Sequence, residues 1–264
     1  MGKTATILAL GDVIGQSGFR AVVTSLSGIR KRHGADAVVL NVENSAEGFG
    51  VTEELAGKLL DAGADVLTTG NHVWQKKEVR DYLDRQDYIL RPANYPGGAP
   101  GHGSCVFEHR GLVLGVVNLQ GRRRMPQTDC PFRLGREIAR KMRSRTRCIL
   151  VDFHAEATDE KEALGLYLDG EVSAVVGTHT HIQTADERIL PNGTAYITDI
   201  GASGPVESVI GFQPDISIQR SLTQLPLRNE VSDNRAAIHG VKIEIDTETG
   251  RATSITRIRE ESLV

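Results

Sequence analysis

Short apolar runs alternate with amphipathic stretches of helical period along most of this chain, and that alternation restricts it to an α/β fold with helices laid over the faces of a sheet. The runs occupy residues 6–10, 37–42, 66–69, 148–153 and 173–176 and are rich in Val, Ile and Leu, the composition of strands buried on both faces. Between them, residues 18–33, 52–62, 75–85, 133–145 and 158–168 carry apolar side chains at helical spacing. Thr52 and Thr158, each followed by acidic residues, are the predicted N-caps.

Two regions break the alternation. Residues 88–118 gather Pro and Gly between 92 and 103 and then show two strand-like segments flanking His109-Arg110-Gly111, which reads as a loop followed by a hairpin. Residues 238–245 and 252–258 alternate in polarity around the turn at 246–250, predicting a C-terminal β-hairpin that finishes an antiparallel edge. With no internal repeat or flexible linker, the expectation is a mixed-sheet α/β sandwich over residues 1–264 as a single domain.

Charge and cysteine usage exclude several classes. A net charge of -3 and a pI near 6.3 do not supply the broad basic surface that holds long nucleic acid, but they are compatible with a small anionic substrate. Three cysteines, widely spaced and without a C-x-x-C pair, make neither a disulfide framework nor a zinc ribbon, so a reducing cytoplasm is expected. The apolar segment at the N-terminus is too short for a signal peptide, and no other segment is long enough to span a bilayer, so no membrane association is expected.

All five buried runs end in residues that bind metal. They lead into Asp12, Glu43-Asn44, Asn71-His72, His154 and His179-Thr180-His181. In open α/β sheets the ligand crevice lies outside the carboxyl ends of the strands, so these ends can meet in one place. Taken singly, a polar residue after an apolar run is an ordinary loop residue. Of the 8 histidines, however, His72, His154, His179 and His181 all fall at these ends, and chance placement explains that poorly. Three imidazoles, two carboxylates and an amide oxygen suit first-row transition ions better than magnesium or calcium, which prefer oxygen shells. Glu43 is the predicted shared ligand, because its two oxygens can each take an ion, and Asp12 would serve one ion only.

Other chemistries lack their motifs. The spacing Gly11, Gly15, Gly18 departs from a dinucleotide fingerprint, and no tyrosine is followed four residues later by lysine, which removes the oxidoreductase reading. Gly2-Lys3-Thr4 lacks the strand and glycine that precede a phosphate loop. Ser45 and Ser203 lack the G-x-S-x-G elbow of a serine hydrolase.

In their order along the chain, Gly11-Asp12, Glu43-Asn44, Gly70-Asn71-His72, His154 and Gly177-Thr178-His179-Thr180-His181 resemble the calcineurin-like metallophosphoesterase superfamily. Three positions depart from its usual pattern: Ile14 stands where a histidine is expected, Glu43 replaces an aspartate, and Val73 follows the G-N-H phrase in place of an acid. The phrases Val42-Glu43-Asn44-Ser45-Ala46, Gly70-Asn71-His72-Val73-Trp74 and Val151-Asp152-Phe153-His154-Ala155-Glu156-Ala157, with the Gly177–His181 phrase, are similar to the YmdB-like phosphodiesterase branch, and the likeness spans nearly the whole chain.

The resemblance implies two transition-metal ions per chain, iron foremost, with manganese or zinc as alternatives, and hydrolysis of 2',3'-cyclic and also 3',5'-cyclic nucleotides by a hydroxide held between the ions. It implies Asp12, Glu43, Asn44 and His181 around the first ion, with Asn44 in the place left by Ile14, and Glu43, Asn71, His154 and His179 around the second. His72, one residue beyond Asn71, is the expected general acid, oriented by a backbone carbonyl or by Glu156. Trp74 and Arg122 are substrate-contact candidates, although core packing and a solvated surface are the commoner roles for such residues. The alternatives are a phosphomonoesterase or 5'-nucleotidase on the same centre, or a slow-turnover regulatory protein that binds metal and nucleotide. The expected partner is a small phosphorylated substrate, a nucleotide, and the hairpin regions are candidate surfaces for a homo-oligomer.

Overall fold

The computed structural model describes residues 4–262. The N-terminal part runs β1 (Thr4–Leu10), β2 (Asp12–Val13), α1 (Gly15–His33), β3 (Ala37–Asn41), α2 (Glu53–Asp61), β4 (Val66–Thr68), α3 (Val79–Arg85) and β5 (Ile89–Leu90), and β1, β3, β4 and β5 pair parallel in that order. The chain then builds a second sheet from β6 (Ser104–His109), β7 (Leu112–Gln120), α4 (Pro131–Met142), β8 (Cys148–His154), α5 (Thr158–Tyr167), β9 (Ala174–Thr178), β10 (Arg188–Ile189) and β11 (Ala195–Ile197), in the spatial order β10-β11-β9-β8-β7-β6. It returns to the first sheet through β12 (Ala202–Pro205), α6 (Pro214–Thr223), β13 (Ala236–Asp246) and β14 (Ala252–Glu261).

The two mixed sheets face each other across one apolar layer, with helices outside. Along β1 the side chains alternate: Ile7 and Ala9 enter the layer between the sheets with Leu114, Leu150 and Val176, while Leu8 and Leu10 pack outward with Leu26 and Ile29 of α1. Burial on both faces is why the strands read as continuous apolar runs, each Leu or Ile contributing about 1.5–3 kcal/mol on leaving water. Against the outer face of the second sheet, Leu164 of α5 and Ala139 of α4 pack on Val151 and Phe153.

Local chemistry sets the element ends. Thr52 caps α2 as predicted, its hydroxyl accepting from Leu55 N at 3.3 Å. Thr158 does not cap α5: it is the first helical residue, Ala157 stands at the cap without a side-chain bond, and Asp159 and Glu160 face the positive helix end instead. α3 begins at Val79 rather than near residue 75, because the chain after Asn71 first folds into turns. The hairpin within residues 88–118 closes on Arg110 and Gly111, whose φ of 48° and 85° are those of a two-residue type I′ turn. The C-terminal hairpin finishes an antiparallel edge as expected: β13 pairs antiparallel with β1 on one side and with β14 on the other, and β14 lies outermost. Among the described residues no helix is long and apolar enough to cross a membrane.

Candidate metal centre

Carboxyl ends of strands from both sheets open on one rim. Asp12 opens β2 just beyond β1, Glu43 and Asn71 follow the ends of β3 and β4, His154 ends β8, and His179 and His181 lie in the turn after β9. Donor atoms of Glu43, His154 and His179 lie within 4.8 Å of one another. His154 Nε2 is 3.0 Å from Glu43 Oε1, 3.2 Å from Asn71 Oδ1 and 3.0 Å from His179 Nδ1. Beside this group, His181 Nε2 is 3.3 Å from Asp12 Oδ2 and 3.0 Å from Asn44 Nδ2.

Asp12 and Glu43 are fully buried, yet Asp12 Oδ1 and Glu43 Oε2 have no hydrogen-bond partner among the described residues. An unsatisfied buried acceptor costs about 1–3 kcal/mol and more when charged, so two such oxygens, on carboxylates whose other oxygens lie against His181 and His154, fit a site that holds cations. Gly70 keeps the space open: a Cβ there would sit 2.2 Å from Glu43 Oε2 and 2.3 Å from His154 Nε2.

The histidines are oriented from behind. Thr178 Oγ1 donates to Asp152 Oδ1 at 2.7 Å and lies 2.9 Å from His154 Nδ1. Its single proton is thereby committed, so Nδ1 donates to it and Nε2 is left to present a lone pair. Asp152 also accepts from Asn41 Nδ2 at 3.0 Å and from the Thr68 hydroxyl. Burial pushes the Asp152 carboxyl up to about 6 against these donors. His181 donates Nδ1–H to the Ile210 carbonyl at 2.8 Å, turning Nε2 toward Asp12.

Electrostatics tie the group together. Burial alone would lower His154, but Glu43 and then Asp12 raise it to about 9. Burial pushes His179 down to about 2, reinforced by the neighbouring His154. Burial opposes ionisation of Asp12, yet its hydrogen bond to His181 and the surrounding imidazoles hold its carboxyl below the usual range.

The turn that carries both loop histidines is strained. His179 and His181 have φ of 99° and 66°, conformations that cost non-glycine residues of order 1–3 kcal/mol. Asp199 holds Thr180 between them, accepting from its backbone N at 3.1 Å and its hydroxyl at 2.8 Å, and also accepts from Gly201 N at 2.8 Å. Lys161 Nζ pairs with the same carboxylate at 2.7 Å, and the two side chains are only 1% and 0% exposed.

His72 lies at the edge of the group, with Nδ1 2.9 Å from Asn44 Oδ1 and 3.2 Å from Glu43 Oε1. Burial lowers its pKa, partly offset by Glu43. Glu156 does not orient it as expected; its carboxylate faces His179 Nε2 at 3.2 Å. Asn44 is set beside Ile14 by a parallel backbone bridge, and the Ile14 side chain is buried under Gly204 and Gly211. The two substrate-contact candidates are both half-buried. Trp74 packs with the apolar cluster outside the first sheet, edge-on to Tyr95 at 5.4 Å. Arg122 reaches Cys130 Sγ at 3.7 Å while its backbone N donates to Glu160.

Asp152, Thr178, Lys161 and Asp199 were not legible as site residues. A lone acid inside the apolar run at 148–153 was a signal for Asp152, since a charge enters such a strand only with partners. Lys161 carried no signal, because a lysine in an amphipathic helix ordinarily faces water.

Two face-to-face mixed sheets under helices, with imidazoles and carboxylates converging at their strand ends, define a protein of the metallophosphoesterase type. More narrowly, the chain belongs to the YmdB-like protein family, whose model matches residues 8–258. It is 46% identical over 252 residues to the 2',3'-cyclic-nucleotide 2'-phosphodiesterase of Bacillus subtilis (strain 168), covering 96% of each chain. A solved structure described as a novel phosphatase from Mycoplasma pneumoniae superposes with a TM-score of 0.92 at 35% identity, covering 99% of this chain and 95% of that one. A hypothetical protein from Thermus thermophilus does so at 0.90 and 39% identity, covering 97% and 99%.

Proposed function

We propose that this chain is a metal-dependent phosphodiesterase that opens 2',3'-cyclic nucleotides. One observation carries the reading: donor atoms of Glu43, His154 and His179 converge within 4.8 Å, beside two buried carboxylate oxygens without a partner among the described residues. The substrate class follows from the relative's name and the extent of the likeness. Asp12, Glu43, Asn44 and His181 would hold one ion and Glu43, Asn71, His154 and His179 a second, with Glu43 shared. When bound, such ions supply Lewis-acid polarisation of phosphoryl oxygens and lower the pKa of water.

The chain's own residues would do the rest. In the reaction, water adds to phosphorus, the bond from phosphorus to one ribose oxygen breaks, and the departing alkoxide takes a proton. His72 would donate that proton, since its Nδ1 is held by Asn44 and Glu43, leaving Nε2 free to face substrate. The anionic substrate favours the imidazolium form, against the burial that lowers it. His154, fixed by Thr178 and Asp152, and His179, fixed by its strained turn, would keep their lone pairs aimed at the centre.

Metal analysis joined to assays on 2',3'-cyclic, 3',5'-cyclic and 5'-monophosphate nucleotides tests this. We expect about two transition-metal ions per chain, iron foremost, and fastest turnover of the 2',3'-cyclic diesters, with 3',5'-cyclic diesters slower. Preferred cleavage of monoesters would support a phosphomonoesterase on the same centre, and nucleotide binding by metal-replete protein without turnover would leave only a binding role. In the same assays His72→Ala should lose about 10²–10⁴-fold on alkyl leaving groups and far less on activated aryl esters; equal losses would reduce His72 to positioning.

A further inference from the structure

Phe49 is 38% exposed and stands beside the candidate centre. It sits on a tight turn that starts at Asn44: Gly48 N donates to Asn44 O at 3.1 Å, Phe49 N to Ala46 O at 3.1 Å, and Ala46 N to Gly50 O at 2.9 Å. Gly48 and Gly50 have φ of 88° and 80°. The turn is also wedged from both sides. A Cβ on Gly48 would meet Val231 Cγ2 at 2.5 Å, and one on Gly50 would press on Gln75 Cβ at 3.1 Å and His72 O at 3.2 Å. The ring is therefore presented by a fixed backbone.

Two rings pack against it without burying it, and 38% of the residue stays open to water. Phe212 stacks on it at a centroid distance of 5.8 Å and an angle of 27°, while the His72 ring meets it at 5.1 Å and 76°. Phe212 is itself almost fully buried and acts as the backing. An apolar ring held toward water next to groups that handle a phosphodiester has the form of a stacking platform, and nucleobases stack on aromatic side chains for about 1–3 kcal/mol each. Ribose separates base from cyclic phosphate by a single ring, so a phosphate at the centre puts the base near His72 and its neighbour. Trp74 packs edge-on against Tyr95 and the apolar cluster outside the first sheet, whereas Phe49 meets the His72 ring itself.

We propose that Phe49, backed by Phe212, is the platform on which the nucleobase of the substrate stacks. This rests on the phosphodiesterase reading and adds to it the part of the substrate that carries the base. A bare aromatic face reads area rather than hydrogen-bonding pattern, so purines should bind better than pyrimidines with no base excluded.

The test compares, in the metal-loaded enzyme, 2',3'-cyclic AMP with ribose 2,3-cyclic phosphate, which lacks a base. Wild type should show the lower KM for the nucleotide, and Phe49→Ala should shrink the ratio of the two KM values about tenfold. Phe49→Leu keeps an apolar contact with Phe212 without an aromatic face and should lose most of the preference, while Phe49→Trp should restore it; the leucine variant decides the matter should the alanine variant fail to fold. A ratio unchanged in both variants, or a wild type that does not prefer the base, would overturn the platform. Calorimetric titration with adenosine 3'-monophosphate and ribose 3-phosphate reads the same preference without turnover. Base preference without cleavage would sink the phosphodiesterase reading alone, and cleavage without base preference would sink the platform alone.

Discussion

His154 shows how one side chain joins folding to chemistry. Its Nδ1 is committed to Thr178, its Nε2 faces Glu43, and its pKa is raised from 6.5 to about 9. A histidine raised in the folded state stabilises fully below its unfolded value and loses that contribution as pH rises through the folded one. Protein stripped of metal should therefore lose thermal stability between pH 6.5 and about 9. If His154 is a ligand as proposed, a cation would take the place of that proton in loaded protein, and the melting temperature should be flatter over the same range. Calorimetric scans of both forms check this; parallel pH profiles would mean that His154 does not exchange its proton for metal.

At the scale of elements, the turn between β9 and β10 depends on a partner from a helix and another from a loop. Asp199 accepts from Thr180, Gly201 and Lys161 at once, and removing it would leave a buried ammonium unpaired beneath two left-handed histidines. Breaking a buried pair from one side costs about 3–5 kcal/mol. Asp199→Ala should lower unfolding stability by that amount in denaturant titrations and also weaken metal affinity. Adding Lys161→Met to it should recover part of the stability, because no unpaired charge remains, but not the affinity, because Thr180 still lacks its acceptor. Recovery of both together would show that the pair only stabilises the fold.

Over the whole molecule, the centre joins the two sheets, with Asp12, Glu43 and Asn71 on one and His154, His179 and His181 on the other. A ligand bound at such a seam stabilises by mass action, about 2.7 kcal/mol at a hundredfold excess over its Kd. Chelation should thus lower the melting temperature by roughly 5–10 °C for a chain of this size. A melting temperature indifferent to chelator would argue against ions bridging the seam.

The alternation of apolar runs and helical stretches carried the sandwich, because strands buried on both faces must be apolar throughout, and the residues ending those runs carried the candidate ligands. These are local consequences of backbone periodicity and of where strands stop. What tertiary structure alone decided is pairwise. It brought Glu156 to His179 instead of His72, seated Trp74 against Tyr95, and presented Phe49 on a turn wedged by Val231. It also buried Lys161 against Asp199, 38 positions away. Contacts between residues far apart in sequence leave no periodic trace in either segment, so the sequence determined which groups reach the rim and the packing of the two sheets decided which of them touch.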